Sequence, residues 1–214
     1  MKYYWIILLS ACSIMLPVTS VLVRWQLLKT KYLPLAVLFL LGAVNELASY
    51  MASRWYHNNI FISDLFSLVE YLLLLRFFRG WQDRKQIFRW LTAGGLLLWI
   101  CDNFLLHPPG LKDMIFRSVT SLLIVALSMI QINRLLFADL REASHRADLL
   151  VMLVSMVFYA YQALISIFQL FPLGLSESAY ITFWLILAIV NIICNTLYMI
   201  AIVWLPKQQA YISH

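Results

Sequence analysis

Seven apolar runs, residues 4–23, 33–52, 59–78, 86–106, 114–137, 149–171 and 179–205, account for most of the chain and leave little of it for a domain outside a membrane. Each run is close to the roughly 20 residues that a helix needs to cross the hydrocarbon core of a bilayer. In that core every backbone N–H and C=O must be satisfied within its own segment, so an isolated run of this kind has to be helical. The expectation is an all-α polytopic membrane helix bundle, seven transmembrane helices in a single domain, residues 1–214. Composition agrees: 63% of residues are hydrophobic and 12% charged, where soluble domains hold about 45–50% and about 25%.

Met1-Lys2 followed by apolar residues resembles a signal peptide, and Leu9-Ser10-Ala11-Cys12 resembles a lipoprotein cleavage box. The apolar stretch continues past Cys12 to Val23, longer than the short apolar region of a signal peptide, so it reads as a first span. The short tail after residue 205 reads as leaving no room for a fused output domain.

Charge orients the bundle. Arg24, Lys29, Lys31, Arg76, Arg79, Arg84, Lys85, Arg89, Arg134, Arg141, Arg146 and Lys207 fall on one side, against Lys2, Arg54, Lys112 and Arg117 on the other. By the positive-inside rule the N-terminus is expected outside and the C-terminus inside, in a multi-pass protein of the plasma membrane. The net charge of +6 is spread between apolar runs and forms no arm or patch, which argues against nucleic acid as a partner. The expected partners are the lipid bilayer, a small cationic or amine ligand, and a cytoplasmic signalling partner at the basic connections 79–85 and 138–148.

Cys12, Cys101 and Cys194 lie within the runs and show no C-x-x-C spacing, so they read as small core residues. His57, His107, His145 and His214 fall in connections or the tail. No metal site and no cofactor is expected from these groups.

Ionisable side chains inside the runs carry the functional signal, because at that depth they are costly and face a bundle interior or a wet cavity. At 100° per residue, Gly42, Asn45, Glu46, Ser49, Tyr50 and Ser53 share an arc of roughly 140°, and Ser63, Asp64, Ser67, Glu70 and Tyr71 one of roughly 120°. Polar stripes recur with Asp102 and Asn103, with Arg117, Ser121, Ser128 and Gln131, with Ser155, Tyr159 and Gln162, and with Asn191 and Asn195. Counting about 1.5 Å per residue, Glu46, Asp64, Asp102 and Arg117 lie within roughly 10 Å of the outer surface and Glu70 near the midplane. Arg117 is expected to neutralise one acid, Asp102 or Glu46. The candidate ligand- or ion-binding residues are thus Glu46, Asp64, Glu70, Asp102, Arg117, Gln162 and Asn191, around an outward-facing acidic pocket.

The last run has no lysine at its centre to carry a retinal, and D-R-Y and N-P-x-x-Y signatures are absent. An intramembrane hydrolase using Glu46 and Glu70 as its acid pair has no flanking signature in support, so no catalytic residue is assigned. The sequence reads as a sensory or receptor-like component acting through a partner. The alternative is a proton- or cation-coupled transporter or channel with Glu70 in the path.

Overall fold

The computed structural model describes residues 4–28, 31–56, 60–81, 85–106, 114–137, 143–171 and 176–205. These are almost wholly helical: α1 (Tyr4–Ser13), α2 (Met15–Val23), α3 (Leu33–Tyr56), α4 (Ile60–Arg79), α5 (Lys85–Ile100), α6 (Met114–Leu136), α7 (Ala143–Leu170) and α8 (Glu177–Trp204). A 3-10 turn, Trp25–Leu27, follows α2, and a π-helical turn, Cys101–Leu106, extends α5. The chain is therefore an all-α helical bundle, as expected.

Five helical stretches among the described residues are long and apolar enough to cross a membrane: Trp5–Val23, Leu33–Trp55, Met114–Leu136, Arg146–Leu170 and Ile181–Trp204. The other two apolar runs fall short of that standard for visible reasons. α4 carries Asp64, Glu70, Arg76 and Arg79 among its 20 residues, and α5 has only 16 residues before the π turn.

Proline breaks the first rod. Pro17 has no N–H, and its ring crowds the carbonyl four residues back, that of Ser13, which is where α1 gives way to α2. Ser13 turns to other partners. Its hydroxyl donates to Ser10 O at 2.6 Å and accepts from Asn195 Nδ2 at 2.7 Å.

Successive packing of α2 on α3, α3 on α4, α4 on α6, α6 on α7, α7 on α8, and α8 back on α1 and α2 closes a ring. α5 stands outside it against α4 and α6. One end of the ring, where α2, α4, α6 and α8 finish and α3 and α7 begin, is filled by Val21, Leu28, Leu74, Leu75, Phe77, Phe78, Val151, Met152 and Ile202, all at most 2% exposed. The same end is tied by Arg24, whose Nη1 donates to Leu205 O at 2.6 Å, a cation placed on the carbonyl end of a helix dipole.

The outer face of the bundle is apolar. Leu9, Leu22, Val44, Leu47, Leu97, Leu122, Met129, Val157 and Ile193 are all exposed on it. Contiguous apolar surface of this extent is what a bilayer, and not water, would cover.

α4 and α5 meet at a glycine. Gly95 lies against the Tyr71 ring so closely that a Cβ there would overlap it. The ring has little freedom to retreat, because Tyr71 Oη donates to Leu91 O at 2.7 Å and its face packs edge-on against Phe116. Gly95→Ala should destabilise the bundle by about 1–3 kcal/mol, the usual effect of overpacking. Gly94→Ala, where a Cβ meets nothing within 4 Å, should be neutral or slightly stabilising; thermal unfolding of the two purified variants checks the contrast.

Candidate functional site

Inside the ring lies a cavity of about 470 Å³, walled by α1, α3, α4, α6, α7 and α8. Along α8 it reaches from Trp184 to Tyr198, about 20 Å at the helical rise. It is therefore a long slot parallel to the helices, and its two halves differ in chemistry.

The polar part gathers side chains far apart in sequence. Ser10 on α1, Asn45 and Glu46 on α3, Ser63, Ser67 and Glu70 on α4, Arg117 on α6, Gln162 on α7, and Asn191 and Asn195 on α8 all line it. Glu70 accepts from Tyr159 Oη at 2.6 Å through Oε1, a bond that ties α4 to α7 across the ring. Arg117 reaches over to α4 and donates through Nη2 to Ser63 O at 3.0 Å and Ser63 Oγ at 2.7 Å. Asn191 Nδ2 donates to Ser10 Oγ at 3.0 Å, and Asn191 Oδ1 accepts from Asn195 Nδ2 at 3.4 Å. This amide ladder seals α8 against the kinked first rod.

Among the described residues, the carboxylate of exposed Glu46 and the carboxamide of half-buried Gln162 have no hydrogen-bond partner, although both line the cavity. A side pocket of about 20 Å³ continues from Glu70 between Thr120 and Ser121 of α6, enough for one water molecule. The rest of the slot is apolar and aromatic: Leu35, Leu38, Phe39, Phe66, Phe158 and Leu187.

Of the seven residues picked out from sequence, Glu46, Glu70, Arg117, Gln162 and Asn191 line this one cavity, and Asp64 and Asp102 do not. Asp102 is fully buried, and its Oδ2 accepts the backbone N–H of Phe116 at 2.8 Å. It thereby caps the first turn of α6, one of the places where helix N–H groups lack internal partners. Asp64 is buried on the α4–α5 side, where its carbonyl accepts from Trp99 Nε1 at 3.1 Å. The Asp102 carboxylate and the Asp64 backbone carbonyl thus tie helices together at the cavity's flank. His57, His107 and His214 lie outside the described residues, as do the side chain of His145 and most of the basic connections. No group of three or more His, Cys, Asp or Glu side chains that could hold a metal occurs among the described residues.

Sequence patterning missed a second charged group at the packed end of the ring. Lys31, just before α3, contacts Asp148 on α7 with Nζ–Oδ2 at 2.8 Å, the lysine 37% exposed and the aspartate 2%. The ammonium also lies over the Trp81 ring, 3.1 Å from its centroid, a cation–π arrangement. Burial pushes the Lys31 ammonium below the usual lysine range, and the Asp148 carboxylate pulls it back up. Asp148 Oδ1, Tyr32 Oη and Trp81 Nε1 are buried there without a hydrogen-bond partner.

The two partners should not be equivalent. Lys31→Met leaves a buried carboxylate without its cation and should destabilise by about 2–4 kcal/mol; Asp148→Asn leaves a lysine that can turn to solvent and should cost about 1–2 kcal/mol. A double-mutant cycle read by chemical or thermal unfolding in detergent checks both the asymmetry and the coupling.

No family model, curated protein or solved structure matches this chain. The class that fold and cavity define is a multi-pass membrane helix bundle, and anything narrower rests on the cavity's chemistry.

Proposed function

We propose that this protein binds a small ligand in the central cavity and acts as the sensing component of a membrane signalling pair. The bundle spans the plasma membrane seven times, with the N-terminus outside and the slot facing out. The observation that carries the reading is the convergence of Glu46, Glu70, Arg117, Gln162 and Asn191, from five helices, on one cavity. Packing alone asks for small residues and single amides at helix contacts, not for two carboxylates and a guanidinium around a void. Basic connections on the inner side would dock the partner that carries the signal onward.

A second reading is favoured by one specific contact. Glu70 lies ten residues into the 20-residue α4, at mid-depth, with its carboxylate held by Tyr159, and the slot ends against a packed plug. An intramembrane carboxylate in that position is a usual part of a proton or cation path. In this reading the structure is a closed-inside state of a transporter.

One pair of measurements separates the two. In proteoliposomes with a pH-sensitive dye and a panel of cations and amines, the sensor shows no flux and the transporter shows flux that Glu70→Gln abolishes. In either case ligand-dependent thermal stabilisation of the wild-type protein should fall by about tenfold in apparent affinity in Glu70→Gln, the loss expected for a charge-assisted contact. Unchanged affinity in both Glu46→Gln and Glu70→Gln, in protein that expresses and unfolds normally, would sink the binding reading.

A further inference from the structure

Resting on the reading of the slot as a ligand site, we infer that its ligand is an organic monocation with an apolar body, an amine or quaternary ammonium compound, and not a metal ion or an anion. Charge is the first ground. Two carboxylates, Glu46 and Glu70, face the slot against one guanidinium, Arg117, and the remaining titratable wall groups, Tyr159, Tyr198 and Cys194, are neutral in their ordinary protonation states. The slot is one acid in excess. Arg117 is held on Ser63 O and Oγ and its charge acts on Glu70, whereas Glu46, the acid in excess, has no partner among the described residues. Glu70 accepts a hydrogen bond on Oε1 from Tyr159, which leaves acceptor capacity for an ammonium N–H.

The aromatic wall is an independent second ground. Two edge-to-face pairs line the slot, Phe158 with Tyr159 at 5.1 Å between centroids and Phe39 with Tyr198 at 5.1 Å. Tyr159 belongs to both features, since its ring is part of the wall and its hydroxyl holds Glu70. A cation beside Glu70 therefore lies next to aromatic rings, whose faces attract organic ammonium groups through the ring quadrupole.

Size and donors exclude the alternatives. A hard divalent ion takes about six to eight oxygen ligands, and the carboxylates on this wall come singly from different helices, with no metal-holding group among the described residues. A bare ion would also leave most of a cavity of about 470 Å³ empty, whereas pockets of about 300–1,000 Å³ suit organic molecules. The apolar stretch at Leu35, Leu38 and Phe39 would take the body of such a ligand.

The test is calorimetric titration of the purified full-length protein in nanodiscs. The probes are phenethylammonium and tetraethylammonium, with 2-phenylethanol as the neutral isostere, 3-phenylpropionate as the anion, and Na⁺ and Mg²⁺ as inorganic ions. The expected result is saturable binding of at least one organic cation, about tenfold or more tighter than the alcohol. Glu70→Gln should lose about tenfold; Phe158→Leu, which keeps the apolar volume and removes the ring face, should lose several-fold. Size-exclusion profiles confirm that both variants are folded. If the alcohol, the anion or an inorganic ion binds at least as tightly as the organic cations, the cation class is overturned while the slot remains a ligand site. If no probe of any class binds to folded wild-type protein, the inference falls, and the binding reading with it.

Discussion

Everything in this molecule depends on the absence of water as a hydrogen-bonding partner along most of its length. Where a helix faces lipid, a polar side chain finds no partner, so each polar stripe must turn toward another helix. Polar stripes turned inward from so many helices cannot all be satisfied by contact at once. Some pair directly, as Asn191 and Asn195 do with Ser10 and Ser13, and the rest surround a void. The cavity is thus a consequence of how many polar groups the sequence places at the same depth, and the ring order of the helices follows from the pairs they make.

The two ends of the ring are built from different chemistry. At one end Phe77, Phe78, Leu74, Leu75 and Met152 fill the interior, and charged groups there are tied to partners, Lys31 to Asp148 and Arg24 to the Leu205 carbonyl at the end of α8. Toward the other end the stripes carry Glu46, Ser63, Gln162 and Arg117, and packing gives way to the slot. Glu70 and Tyr159 mark the boundary. In the proposed sensor, a ligand engaging Glu70 would bear on α4 and α7; Asp148 on α7 and Trp81, just past α4, belong to the charged tie at the packed end. In that reading, α4 and α7 are the helices through which occupancy of the slot would reach the packed end.

Much of this was legible in the residues, for a reason that is specific to membrane proteins. Apolar runs of span length leave no alternative to helices, so the all-α bundle follows from periodicity and length alone, and the helices track the runs closely. The main departure is α7, which starts at Ala143, earlier than its apolar run, because Asp148 can be buried once Lys31 is there to meet it. Facing was legible in part: Tyr50 and Ser53, on the same α3 arc as Glu46, are exposed, whereas Glu46, Glu70, Arg117, Gln162 and Asn191 line the cavity. What each group does there was not. Asp64 and Asp102 have the same stripe position as the cavity residues, but whether an inward acid meets a void or a helix terminus depends on the neighbouring helix. For Asp102 that neighbour is the first turn of α6. The Lys31–Asp148 pair joins groups far apart in sequence, one in a connection and one at a run's edge, and nothing local marks either.

The central claim is that the inward stripes line a slot reachable from water at one face of a membrane-embedded bundle. Cysteine accessibility tests it most directly. In a variant with Cys12, Cys101 and Cys194 replaced by alanine, a single cysteine is placed at Gln162, on the slot, or at Leu122, on the apolar outer face. The account predicts that a membrane-impermeant thiol reagent added to intact cells modifies the cysteine at position 162 and not the one at position 122. If position 162 stays unmodified while a cysteine placed next to Lys2 reacts freely, there is no water-filled slot open to the outside and the account is wrong.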